Sequence, residues 1–248
     1  MPKSVFHILL LVTSVLFVHS QSNGGFKKKQ LTYSRVRNAY QSQHDTLKSQ
    51  LIRAGIKGDD YEMLIRVFKQ DQEMEVWLRQ KGENQYRFFK TYSICASSGD
   101  PGPKRKEGDG QVPEGFYQIE SFNPFSNYHL SLKVNYPNKS DKLKSKGNTG
   151  GDIMIHGECV TIGCVPIQNR PIEELYVLGV ESKDKGHTIR VHMFPFRFKA
   201  VSDYQKMNIS QDLKDFWKTL SDGFFYFEKN RILPKIEIDQ RGNYVLKP

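Results

Sequence analysis

The stretch Ile153-Met154-Ile155-His156-Gly157-Glu158-Cys159-Val160-Thr161-Ile162-Gly163-Cys164-Val165-Pro166-Ile167 decides how the chain is read. An apolar run delivers His156, and Gly157 follows at once. Eight residues after the histidine comes Cys164, itself preceded by Gly163. A strand that ends in His-Gly and bends back through Thr-x-Gly-Cys brings an imidazole towards a thiol. The base takes the thiol proton, and the thiolate attacks a carbonyl. Gly157 and Gly163 suit that task, because glycine lets the backbone turn sharply or approach a substrate closely. Taken alone, the pair is equally compatible with a buried small thiol and a satisfied polar imidazole.

Outward from this stretch the pattern is mostly β. Residues 61–79 hold two short runs of strand formers around Asp71-Gln72, which predicts a hairpin; a helix is the competing reading there. Residues 86–95, 116–119, 130–134, 153–155 and 188–194 read as further strands. Residues 97–115 form a long loop rich in glycine and proline, with Lys104-Arg105-Lys106 near its start, and loops of this length are commonly functional. The polar segment 136–151 reads as a mobile connection. A short helix is expected from Pro171 to Gly179. Helical spacing covers residues 34–56, closed by Gly55 and Gly58, and another helix runs near 210–220 with Ser210 as N-cap. Residues 21–29 read as a flexible basic lead-in, and 244–246 as a terminal strand. No internal repeat is evident. The expected organisation is a lead-in and helix over 21–60, a β-rich domain over 61–195 and an extension over 196–248.

The 248 residues carry a formal net charge of +10. Residues 1–20 contribute only Lys3, so the remainder carries +9. Such a charge favours an anionic partner, but no stretch interleaves basic and aromatic residues as nucleic-acid-binding motifs do, so nucleic acid is not expected. Residues 1–20 look like a cleavable secretory signal, with an apolar core from Ile8 to Val18 that is too short to span a bilayer. No later segment is apolar enough to span one, so no stable membrane span is expected after cleavage. Three cysteines remain, Cys95, Cys159 and Cys164. An odd count leaves one thiol free or paired outside the molecule. A Cys95–Cys159 bond is compatible with Cys164 being the free one.

His-Gly followed by Ser/Thr-x-Gly-Cys resembles the hallmark of the L,D-transpeptidase catalytic domain, the YkuD-type fold. The matching residues are Ile155-His156-Gly157 and Thr161-Ile162-Gly163-Cys164-Val165. Upstream, Ser98-Gly99, Gly102-Pro103-Lys104-Arg105, Glu107-Gly108-Asp109, Pro113-Glu114-Gly115-Phe116-Tyr117, Asn123-Pro124, Ser131-Leu132 and Tyr136-Pro137-Asn138 are similar to its YafK-like branch of murein peptidases and transpeptidases. The resemblance covers roughly 61–195. It implies a β-rich barrel or sandwich with the cysteine loop at its mouth, to which the patterning along the chain adds helical extensions at both ends. It implies Cys164 as nucleophile, His156 as general base and acid, and an oxyanion held by backbone N–H groups near Gly163 and Cys164. Peptidoglycan stem peptides would be the substrates, with a second stem or a wall-attached protein as the amine partner. No cofactor is implied. The location would be outside the inner membrane, periplasmic or in the cell envelope.

Departures from the family pattern shape the remaining expectations. The histidine–cysteine gap is short, and Pro166 stands where an arginine is common. Lys104 and Arg105 are the substitutes expected to meet a substrate carboxylate, with solvated loop charges as the equal alternative. Thr161 orients His156 or the cysteine loop, or is a plain turn residue. His129 and His192 are expected as framework residues, and Glu158 is given no role. Water could replace the amine, which would make the protein a hydrolase that cuts a crosslink or a protein attachment; a wall-binding module without activity is the third reading. A zinc site at His156, Cys159 and Cys164 is not expected, because the fourth ligand and the paired Cys-x-x-Cys spacing are missing.

Overall fold

The computed structural model describes residues 25–200 and 202–247; the expected secretory signal lies outside them. Helices α1 (Gly25–Gln30) and α2 (Ser34–Arg53) come first. The segment from residue 25 that reads as a flexible lead-in is therefore helical, with Phe26 packed edge-on against Phe122 at 5.1 Å. Strands β1 (Tyr61–Phe68) and β2 (Glu73–Gln80) form the expected antiparallel hairpin. They are followed by β3 (Arg87–Ser93), β4 (Gly115–Asn123) and β5 (Ser131–Val134). Helix α3 (Lys139–Lys144), strands β6 (Met154–His156) and β7 (Val165–Pro166), helix α4 (Asn169–Asp184) and strand β8 (Arg190–Phe194) complete the middle of the chain. Helix α5 (Gln211–Asn230) and the hairpin β9 (Lys235–Ile238) and β10 (Tyr244–Lys247) close it.

Eight strands form one sheet in the order β3-β2-β1-β8-β4-β5-β6-β7. The β1–β8 and β6–β7 pairs are parallel, and the other neighbours are antiparallel. Alternation along β1 explains the layers. Met63, Ile65 and Val67 enter a core shared with α2 and α4, while Phe68 faces a second core with Phe194, Trp217 and Phe224. A strand buried on both faces reads as a continuous apolar run rather than an alternating one, as Met63-Leu64-Ile65-Arg66-Val67-Phe68 does. The single charge in that run, Arg66, is fully buried and bonds Glu75 at 3.1 Å and Glu228 of α5 at 2.6 Å. The fold is mostly β, with helical N- and C-terminal extensions. Helix α4, with α1 and α2 packed on it, covers one face of the sheet, and α5 covers the other.

Two expectations between 136 and 180 are corrected. The polar segment 136–151 contains α3, held by a capping box in which the Asn138 side chain accepts from the Asp141 N–H and Asp141 accepts from the Asn138 N–H. Its charged residues satisfy a helix end rather than solvating a mobile loop. Helix α4 does not stop at Gly179 but continues to Asp184. Gly179 is instead a point of close packing, where an added Cβ would lie 3.1 Å from the Phe122 ring.

Candidate active site

Strand β6 delivers His156 at its last position, and Cys164 directly precedes β7. The parallel register pairs Ile155 with Val165 and His156 with Pro166. Ile155 and Val165 point into the core, at 0% and 1% exposure. Side chains alternate along a strand, so His156 and Cys164 share the opposite face.

The ring of His156 is fixed on two sides. Its Nδ1 lies 2.6 Å from the Gly157 carbonyl. A carbonyl only accepts, so Nδ1 carries the hydrogen and Nε2 keeps a free lone pair. Tyr128 stacks on the ring at 4.6 Å between centroids and 30° between planes. Burial pushes the imidazole pKa below its ordinary value, against the opposing effect of the Gly157 carbonyl. The ring is therefore neutral at neutral pH and available as a base.

The thiol has different partners. Cys164 Sγ accepts from the Met154 N–H at 3.4 Å and donates to the Asp152 carbonyl at 3.7 Å. Among the described residues, no hydrogen bond joins Sγ to His156 Nε2. Burial raises the thiol pKa, more than the Met154 N–H and the nearby Lys104 lower it. The resting pair is thus a protonated thiol and a neutral imidazole.

Between the two residues the chain makes a tight turn that several neighbours hold. An alanine Cβ at Gly157 would meet Asn169 Oδ1 at 2.4 Å and the Tyr128 carbonyl at 2.9 Å. Asn169, the first residue of α4, accepts from the Glu158 N–H at 2.9 Å. Glu158 has φ +61° and belongs to this turn rather than to a strand. A disulfide joins Cys159 to Cys95, just beyond the end of β3, and leaves Cys164 as the free thiol.

Thr161 makes a local turn that braces the cysteine loop; among the described residues, no hydrogen bond joins it to His156. Its hydroxyl donates to the Cys164 carbonyl at 2.8 Å and accepts from the N–H groups of Gly163 at 3.1 Å and Cys164 at 2.8 Å. The two donors expected to hold an oxyanion are therefore occupied by Thr161 in this conformation. Gly163 (φ +131°) approaches the Gln111 carbonyl, which an added Cβ would meet at 3.0 Å. The long loop thus packs against the cysteine loop. Lys69 anchors it, donating from the core to the carbonyls of Gly102 and Val112 and to Glu114 Oε1, while Trp217 donates to Glu114 Oε2.

Lys104 and Arg105 are both committed internally. Lys104 pairs with Asp109 at 2.7 Å, their side chains 6% and 13% exposed. Arg105 pairs with the fully buried Asp141 at 2.9 Å. The Lys104 ammonium is thus buried in its pair, whereas the Arg105 side chain stays 26% exposed and lines a surface cavity with Pro103, Lys144 and Phe216. His129 bonds Glu173 at 2.8 Å, and His192 is buried. Among the described residues, no group of three or more His, Cys, Asp or Glu is arranged to hold a metal.

Tyr128, Asn169, Asp152 and Gln111 escape sequence reasoning. Each comes from a loop or helix end that only the tertiary fold brings to the motif. The run Asn123-Pro124-Phe125-Ser126-Asn127 before Tyr128 signals a turn and nothing about the ring that Tyr128 stacks on.

Neither His156 nor Cys164 lines any of four cavities on the surface of the described residues, which are bordered instead by α2 and α4, by β4 and β9, by Arg105 and α5, and by α5 and β10. The comparisons supply the class, that of the L,D-transpeptidases, a family associated with the peptidoglycan of the cell envelope. The family described as YkuD, the L,D-transpeptidase catalytic domain, matches residues 62–192, more than half of the chain. The chain belongs to this family. It is 34% identical over 185 residues to "Putative L,D-transpeptidase YafK" of Escherichia coli K12, covering 73% of this chain and 72% of that protein. Among solved structures it is similar to the helical cell shape determining protein Pgp2 of Campylobacter jejuni, with 23% identity, a TM-score of 0.45, and 77% of this chain and 64% of that chain covered. Bdellovibrio bacteriovorus Bd1075 matches with 22% identity, a TM-score of 0.38, and 67% and 56% coverage. The chain spans less than two thirds of either structure.

Proposed function

We propose that the protein is a cysteine-dependent acyl-transfer enzyme acting on peptidoglycan stem peptides. One observation carries the reading: the Gly157 carbonyl holds the proton on His156 Nδ1, which leaves Nε2 bare on the face that also carries Cys164. The thiol leaves the Asp152 carbonyl, turns to Nε2 and gives up its proton as sulfur attacks the acyl carbon. The tetrahedral intermediate collapses to a thioester on Cys164, and the imidazolium returns the proton to the departing amine. An amine from a second stem or a wall-attached protein then takes the acyl group and regenerates the thiol; water in its place gives hydrolysis. The N–H groups of Gly163 and Cys164 reach the oxyanion once Thr161 lets them go.

The Cys95–Cys159 bond supports maturation in an oxidising compartment. That agrees with a secreted, periplasmic or envelope location and with residues 1–20 as a cleaved signal. Mass spectrometry of muropeptides incubated with the wild type and Cys164→Ala tests the proposal. Crosslinked dimers that appear with the wild type alone indicate transpeptidation, and crosslinks or attached protein lost with the wild type alone indicate hydrolysis. Equal turnover by Cys164→Ala rejects both.

A further inference from the structure

Strands β4, β5, β6 and β7 together contain one lysine and no arginine: Lys133. The antiparallel β5–β6 register sets Ser131 against His156, Leu132 against Ile155 and Lys133 against Met154. Residues facing each other across a ladder share a side of the sheet. Leu132 and Ile155 are in the core, so Lys133 stands on the His156 side. The N–H of Met154, its cross-strand partner, is the group that touches Cys164 Sγ. Two strand spacings of about 4.8 Å separate β5 from β7, which sets the Lys133 backbone ~10 Å from that of Cys164.

The ammonium is held loosely. Lys133 Nζ lies 3.0 Å from Asp152 Oδ1 and 3.3 Å from Glu120 Oε2, and those side chains are 80% and 53% exposed. Ion pairs this wet are weak and exchange readily. Lys104 and Arg105, by contrast, hold carboxylates that are 13% and 0% exposed. The backbone carbonyl of Asp152 also accepts from the thiol, so one residue touches both the sulfur and the cation.

We propose that Lys133 receives a free carboxylate of the acyl donor, which displaces Asp152 or Glu120 and aligns the scissile group over Cys164. The ligand class is an acidic peptide with a carboxylate within about two residues of the acyl carbon, given the ~3.5 Å that one extended residue spans. This rests on the reading of Cys164 as the acyl-accepting nucleophile.

Two alkylating agents that differ in charge test it without a peptidoglycan substrate. Cys164 in the intact, oxidised protein is alkylated with iodoacetate and with iodoacetamide, the site being confirmed by peptide mass spectrometry. Taking the ratio of the two rates cancels the thiolate fraction. In Lys133→Gln the iodoacetate-to-iodoacetamide ratio is expected to fall about five-fold, as loss of a near-surface charge attraction of about 1 kcal/mol implies. Lys133→Arg retains the ratio, and Lys142→Gln on α3 leaves it as in the wild type. A ratio that moves less than two-fold in Lys133→Gln, or equally in Lys142→Gln, overturns the proposal. With muropeptides, amidation of the stem carboxylates should raise KM for the wild type and not for Lys133→Gln. If the wild type turns over no muropeptide, the enzymatic reading fails on its own, and the alkylation ratio still decides the role of Lys133.

Discussion

At the scale of the residue, the site is a neutral pair rather than a thiolate–imidazolium pair. Burial lowers the pKa of His156 and raises that of Cys164, so between ~6.5 and ~8.5, the ordinary values of the two groups, both remain uncharged. Alkylation of Cys164 by iodoacetamide should therefore be slow at neutral pH and reach half its maximal rate above pH ~8.5. Acyl transfer needs the neutral imidazole, so its acid limb should fall below pH ~6.5 as His156 takes up a proton. A pH profile of the alkylation rate checks the first claim, and fast labelling in mild acid would refute it. Cys164, His156 and the glycines between them were legible because their chemistry lies in a contiguous motif. The commitment of Lys104 and Arg105 was not, because their partners Asp109 and Asp141 are set by loop closure. A lysine five residues before an aspartate looks the same whether the two are solvated or locked together.

At the scale of the element, the turn from His156 to Cys164 depends on Gly157 for space rather than for backbone freedom, since it is not among the positive-φ glycines. Gly157→Ala forces its Cβ against Asn169 Oδ1 and the Tyr128 carbonyl, and should cost ~1–3 kcal/mol of stability, read from a denaturant midpoint. Asn138 caps α3 and also donates to the Phe116 carbonyl at 3.2 Å and to the Tyr244 hydroxyl at 2.8 Å. Strands with strong β patterning were readable in the sequence, as β1 and β2 show. Helix α3 was not, because Lys139-Ser140-Asp141-Lys142-Leu143-Lys144 offers one large apolar residue and no stripe. Its stability comes from its cap and from Ser140, whose hydroxyl donates to the Gly242 carbonyl at 2.6 Å.

At the scale of the whole molecule, α5 is part of the architecture. Phe68, Phe194, Trp217 and Phe224 form one core, so the sheet's second face is built from both the middle and the end of the chain. The patterning of 61–195 could not show this, because a continuous apolar strand does not say which segment covers it. The disulfide spans 64 residues of sequence. Replacing Cys95 and Cys159 by serine should lower stability by about 4 kcal/mol if chain entropy dominates, as thermal or denaturant unfolding with and without reductant will measure. The same crosslink ties the turn that carries the thiol to the end of β3, near the rim of the sheet. Amide hydrogens from 157 to 163 should accordingly exchange with deuterium on the timescale of that outer strand while the bond is intact, and as an independent, faster unit once it is cut.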